Sequence, residues 1–282
     1  MNTNPLLSKY IEDLKKCKSY LDVLKYCNRT FKHVLGEGSS RKVYKIPHFG
    51  LVVKVATKDF GLKQNKTESI VYKKCKNNVS IISKIYDYDK DGYKWVISEY
   101  CYVNGCDESD NRMDLFIKKT IGIDGPLLRL LCTLCMTDKS IQILDKDKKE
   151  FIKFTNWSKS NIDKLYNMRM TDKKKYRKYL FDYIQKHFPN LLRHSKSGNF
   201  CLHYYFITCL YHLRKIEPKL LFDYLYNKKF TKIQFIMDFK KLTKIIGFDL
   251  LDSIDVGNMG LVRRDGKKYL VLLDYGYTEL KV

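Results

Sequence analysis

Apolar positions change their period three times along this chain. Leu6, Leu7, Tyr10, Ile11, Leu14, Leu21 and Leu24 recur at helical spacing with a break near Lys18, which predicts an amphipathic helical segment over 1–30 that packs on the neighbouring sheet. From Phe31 to Cys101 the runs "FKHVLGEG", "RKVYKI", "LVVKVA", "SIISKIYDYD" and "YKWVISEYC" predict five strands, with a helix over 61–76 between the third and fourth. Nearly everything from Asn111 to Ile246 then reads as helix, including 126–137, 159–187, 199–214 and 231–246. Strand patterning returns in "MGLVRRDGKKYLVLLD", two apolar runs joined by a turn at Asp265 and Gly266. The pattern therefore predicts an α+β protein of two lobes. An antiparallel sheet lobe with one helix occupies 31–101 behind the helical extension 1–30, and a helical lobe ending in a β-hairpin occupies 102–282.

Composition adds little to the fold and something to the partners. A chain of 282 residues, 44% hydrophobic and 30% charged, suffices for two small cores, and no low-complexity linker interrupts it. Its net charge of +23, from 54 Lys+Arg against 31 Asp+Glu, would attract nucleic acid, anionic surfaces or nucleotides. Most of that excess is lysine accompanied by Tyr, Asn and Ile, the usage of an AT-rich genome, so composition alone accounts for much of it. The basic runs "KKKYRKY" (173–179) and "YNKKFTK" (226–232) interleave aromatics, as a phosphate-tracking surface would. Against that, Tyr176, Leu180, Tyr183, Ile184 and Phe188 fall at helical spacing, which assigns the lysines between them to a solvated helix face. Nine cysteines, no leader pattern and no apolar run of membrane-spanning length predict a reduced, cytoplasmic protein with no membrane partner. Cys132 and Cys135, and Cys201, His203, Cys209 and His212, lack partner pairs at zinc-finger spacing and sit in apolar helical patterns, where cysteine behaves as a small hydrophobe.

Candidate chemistry begins at "GEGSSRKVYKI". Gly36 and Gly38 fall at a turn between strands, where the lack of a side chain lets backbone N–H groups approach phosphate oxygens and positive φ is tolerated; a plain hairpin turn would use them equally. Lys54 stands in the apolar strand "LVVKVA", a costly place for an ammonium unless it meets an anion or faces solvent. Glu68 lies on the predicted helix, placed either to pair with Lys54 or to remain an exposed helix carboxylate.

In this order the residues resemble the protein-kinase-like family, whose parts are a glycine-rich loop, a third-strand lysine, a helix glutamate, an asparagine after the catalytic loop and a D-F-G aspartate. The resemblance implies ATP and Mg²⁺ as cofactors. It places Gly36 and Gly38 over the phosphates, Lys54 on the α and β phosphates, Glu68 as its ion-pair partner, and the main chain around Glu99 and Cys101, in "ISEYCYV", against adenine. "DVGNMGLV" would supply Asn258 and "LLDYG" Asp274 as metal ligands, with Tyr275 where the family usually has phenylalanine. The wording of 257–276 is most similar to small kinase-like proteins of bacteriophages and other large DNA viruses.

Three departures limit the carry-over. Arg41 replaces the third glycine, covering the phosphates differently or adding positive charge above them. Ser253 stands at the family's base aspartate, and serine is too weak a base at neutral pH; Asp252 or Asp255 takes its place, or no base remains. After Asp-Tyr-Gly the sequence has only "YTELKV", so the long helical stretch before Asn258 is expected to hold the substrate and activation-segment phosphorylation is not expected. The leading expectation is an ATP-dependent phosphotransferase acting on protein Ser/Thr, with a small-molecule substrate less favoured and with lysine-rich faces suited to an acidic protein partner or nucleic acid. Its rival is a pseudokinase acting as a nucleotide-binding or basic interaction subunit of a viral nucleoprotein assembly, and a nucleic-acid binder unrelated to kinases is the third class.

Overall fold

A computed structural model describes residues 4–103, 112–135, 148–189, 224, 227, 229–246 and 258–275. By contact the chain divides into two compact units, Met1–Gly105 with Ile245–Val282, and Cys106–Lys244.

The first unit is built on a five-stranded antiparallel sheet of order β1-β2-β3-β5-β4. Its strands are β1 (Val34–Glu37), β2 (Arg41–Ile46), β3 (Leu51–Ala56), β4 (Ile85–Tyr88) and β5 (Trp95–Glu99), and α3 (Asp59–Cys75) connects β3 to β4. Every residue of β3 is buried, because the sheet is covered on both faces. Side chains alternate across a strand, so Leu51, Val53 and Val55 join Tyr44, Ile46, Trp95 and Ile97 on one face. There they pack with Leu14, Val23, Cys27 and Phe31 of the N-terminal segment. Lys54 belongs to the opposite face, toward α3.

The N-terminal segment folds as two helices, α1 (Pro5–Lys16) and α2 (Tyr20–Thr30), separated at the predicted break. Ser19 makes that break a new start: its Oγ accepts from the N–H of Asp22, while the Asp22 carboxylate accepts from the N–H of Ser19. This reciprocal cap satisfies two of the donors a helix start leaves unpaired.

The hairpin of β6 (Met259–Arg264) and β7 (Lys267–Leu272) turns at Asp265 and Gly266, whose φ values of 49° and 75° are those of the mirror-image turn that matches strand twist. The sequence boundaries placed this hairpin in a lobe over 102–282, whereas its contacts group it with the sheet unit. Leu272 N–H donates to the Ile81 carbonyl at 2.7 Å, and the N–H groups of Tyr102 and Leu261 exchange hydrogen bonds with each other's carbonyls at 2.9 and 2.8 Å. Arg264 donates to the carbonyls of Ser80 and Ile82 and clasps the Glu99 carboxylate. Close approach demands Gly260, since a Cβ there would lie 2.7 Å from that of Cys101.

The second unit is helical where described: α4 (Arg112–Ile121), α5 (Gly125–Cys135), α6 (Lys148–Ser160), α7 (Ile162–Thr171), α8 (Lys173–His187), a 3₁₀ turn at Lys229–Lys232 and α9 (Gln234–Ile246). The span read as one helix over 159–187 is interrupted at Asn161 and again at Asp172, whose carboxylate caps α8 by accepting from Lys175 N–H at 2.9 Å. Tyr176, Leu180, Ile184 and Phe188 are buried and Lys173, Lys174 and Lys175 are exposed, so along 173–188 the lysines form the solvated face that the periodicity predicts. The predicted helix over 199–214 lies outside the described residues. Among the described residues no helix is long and apolar enough to cross a membrane.

Candidate functional site

Four charged side chains meet on the α3 face of the sheet. Register sets two of them: Val43 pairs with Lys54 and Arg41 with Ala56 across β2 and β3, so Arg41 and Lys54 are diagonal neighbours on one face. The third comes from α3. Gly61, Gln64 and Asn65, Glu68, Val71 and Cys75 follow one another at helical spacing and are buried, so the first half of the helix presents a mostly polar stripe to the sheet. A Cβ at Gly61 would collide with the Ser40 carbonyl oxygen, and only glycine admits this approach.

Glu68 is fully buried and serves both cations. Lys54 Nζ lies 3.0 and 3.2 Å from its two oxygens, and Arg41 Nη1 donates to Oε1 at 2.8 Å and to Asn65 Oδ1 at 3.3 Å. The fourth charge is Asp274, which lies just beyond β7; its Oδ1 is 2.8 Å from Arg41 Nη2. Lys54 also donates to the main-chain carbonyl of Leu273. That makes three acceptors around Lys54 Nζ, as many as an ammonium has protons. Burial opposes the charge on Arg41, yet the Glu68 and Asp274 carboxylates outweigh it and hold its pKa above the ordinary arginine value. Among the described residues the cluster's two cations are matched by two carboxylates, the condition under which buried charges are tolerated.

Arg41 thus departs from its expected place above the phosphates. Strand alternation turns it inward, against Glu68 and Asp274. The glycine turn makes no conformational demand. Neither Gly36 nor Gly38 has positive φ, a Cβ at Gly36 would meet nothing within 4 Å, and the Gly38 N–H is bonded to the Arg41 carbonyl at 2.8 Å. What remains of the glycine argument is an uncovered backbone, not a conformational need.

Asn258 is placed by the hairpin: Leu273 N–H donates to its carbonyl at 2.8 Å, so register sets Asn258 one position from Asp274. Asp and Asn oxygens are ligand types that a hard divalent cation takes together with phosphate and water, but the register aligns Asn258 with Leu273 and not with Asp274. Arg41 already holds one carboxylate oxygen. Among the described residues no three His, Cys, Asp or Glu side chains gather as a metal group. Cys132 is buried in α5; Cys201, His203, Cys209 and His212 lie outside the described residues, as do Asp252, Ser253 and Asp255.

Where adenine was expected, the Glu99 carboxylate accepts from Lys84 N–H at 2.7 Å as well as from Arg264, the Glu99 N–H donates to the Lys84 carbonyl at 2.9 Å, and the Glu99 carbonyl accepts from Cys101 Sγ at 3.5 Å. Cys101 is buried, and burial first, then the Glu99 carboxylate, push its thiol up to about 12. Tyr275 is buried, with its hydroxyl donating to the Ser83 carbonyl at 3.0 Å. Its ring therefore fills an apolar position without leaving the oxygen unpaired.

Sequence reasoning named Lys54, Glu68 and Asp274 but missed Gln64, Asn65 and the inward turn of Arg41. Glycine and polar residues repeating at helical spacing with Glu68 were the available signal. No protein-family model, curated protein or solved structure matches the chain.

Proposed function

We propose that the chain is an ATP-dependent phosphotransferase of protein-kinase-like organisation, acting on a Ser/Thr hydroxyl of a protein. One observation carries the reading: a strand lysine and a helix glutamate paired at 3.0 Å inside an antiparallel sheet unit, with Asp274 joined to the same cluster through Arg41. In this reading Glu68 holds Lys54, and Lys54 orients the α and β phosphates, exchanging the Leu273 carbonyl for a phosphate oxygen. Main chain at Glu99 and Cys101 receives adenine beneath the Gly36–Gly38 turn. Asp274 and Asn258 would hold Mg²⁺, which supplies neutralisation of phosphate charge. Asp252 or Asp255 would accept the hydroxyl proton. Transfer of this kind depends mainly on positioning and electrostatics.

A specific observation favours a second reading. Lys54 and Asp274 are already engaged by protein groups, as in a pseudokinase that binds a partner through the same fold.

Thermal unfolding with and without ATP and Mg²⁺ tests the site by linkage. The expected result is a metal-dependent rise in midpoint that Asp274→Ala removes; no rise at saturating nucleotide rejects the site. Phosphoryl transfer to a mixed protein substrate then separates the readings, and Asp252→Ala and Asp255→Ala identify the base. A nucleotide-induced rise without transfer would favour the pseudokinase.

A further inference from the structure

Of the four charges in the cluster, Asp274 is the one that solvent reaches. Its side chain is 30% exposed, against 0% for Glu68, 8% for Arg41 and 9% for Lys54. A cation arriving from solvent therefore meets Asp274 first. It meets a carboxylate whose negative charge is matched within 2.8 Å by a guanidinium that cannot lose its proton. Arginine presents its donors in a rigid planar fork. Here one prong is on Glu68 and the other on Asp274, so Arg41 spans the helix carboxylate and the post-hairpin carboxylate at once.

We propose that Arg41 is the resident counter-ion of Asp274 and competes with a divalent cation for it. The proposal rests on the reading of Asp274 as a metal ligand and adds the group that controls its occupancy. Charge arithmetic gives the direction. Among the described residues two cations and two carboxylates already balance, so a divalent ion on Asp274 adds two positive charges to that set and places them beside a guanidinium. Like charges a few ångströms apart repel strongly in a partly buried site. Arg41 sits on the buried Oδ1, so a cation from solvent meets the other side of the carboxylate with the guanidinium behind it; taking both oxygens requires the Arg41 fork to leave, and Glu68 with Asn65 keeps the guanidinium when it does. The consequence is low affinity of the unliganded protein for divalent cations, set by one residue of β2 and not by the ligands themselves.

Mn²⁺ binding, followed by electron paramagnetic resonance without nucleotide, tests this on the full chain. Wild type, Arg41→Gln, Arg41→Lys and the same variants carrying Asp274→Asn are compared, with circular dichroism to verify folding. The expected result is at least tenfold tighter binding in Arg41→Gln, lost when Asp274→Asn is added. Arg41→Lys keeps the charge but not the two-pronged span, so it should gain affinity by a smaller factor and serves should Arg41→Gln fail to fold.

Binding in both Arg41 variants no tighter than in wild type, with the Asp274 dependence intact, overturns the competition and leaves Asp274 as a metal ligand. Absence of any Asp274-dependent binding in every folded variant rejects the metal-ligand reading and the competition together. Tight, Asp274-dependent binding already present in wild type also defeats the proposal.

Discussion

Glu68 is the carboxylate on which both buried cations depend. Removing its charge while keeping its shape leaves Arg41 and Lys54, among the described residues of the cluster, with Asp274 as the one remaining carboxylate, one negative charge against two buried positive ones. Breaking a buried pair in this way costs about 3–5 kcal/mol, because the surviving charge is left uncompensated. Glu68→Gln is therefore expected to lower the urea-denaturation stability of the sheet unit by about that amount. Lys54→Met should partly rescue it by removing one orphaned cation. A double-mutant cycle measures the coupling, and additive losses would refute a shared network. At this scale the sequence was legible for Lys54, because an ammonium in an apolar strand demands an explanation. It was not legible for Arg41, whose place in a glycine-loop motif suggested a ligand-facing role; only the β2–β3 register shows that it faces inward.

Secondary structure was easier to read than side-chain direction. The five strand runs, the helix between the third and fourth and the Asp265–Gly266 turn all arise from periodicity and turn chemistry. The break that starts α2 was visible near Lys18. Less legible was α3, since a helix that buries Gln64, Asn65, Thr67, Glu68 and Ser69 looks, by composition, like one facing water. Its polar stripe is admissible because the partners are polar as well: Ser40 donates to Gln64, and Asn65 Nδ2 donates to the Tyr93 carbonyl at 2.8 Å. The position that sets this docking is Gly61. Gly61→Ala places a methyl group against the Ser40 carbonyl and must move α3 away from the sheet. It should cost about 1–3 kcal/mol by overpacking. Nucleotide-induced stabilisation should fall as well, since Glu68 rides on the same helix; an unchanged melting temperature would show that α3 adjusts without cost.

For the molecule as a whole, the readable terms are charge and pH. Burial raises the Cys101 thiol from 9.0 to about 12, and the Tyr26 and Tyr44 hydroxyls from 10.0 to about 12. The folded chain thus retains protons that the unfolded chain releases, so stability is complete below about pH 9 and falls as pH rises toward 12. Chemical denaturation from pH 8 to pH 11 should show a declining midpoint; a flat profile would contradict the buried setting of these groups. The charge of +23 remains compatible both with genome usage and with a polyanionic partner. The long connection inside the first unit has a further consequence, for the order of events on the ribosome. Lys54 and its acceptor at Leu273 are 219 residues apart. At about 5–20 residues per second, the strand lysine waits on the order of ten seconds or more for that acceptor and for Asp274. During this interval Arg41 and Lys54 have Glu68 alone to balance them. The nascent sheet therefore carries an excess positive charge at its centre until the hairpin has been translated and docked, and a pause in translation before residue 259 would prolong that period.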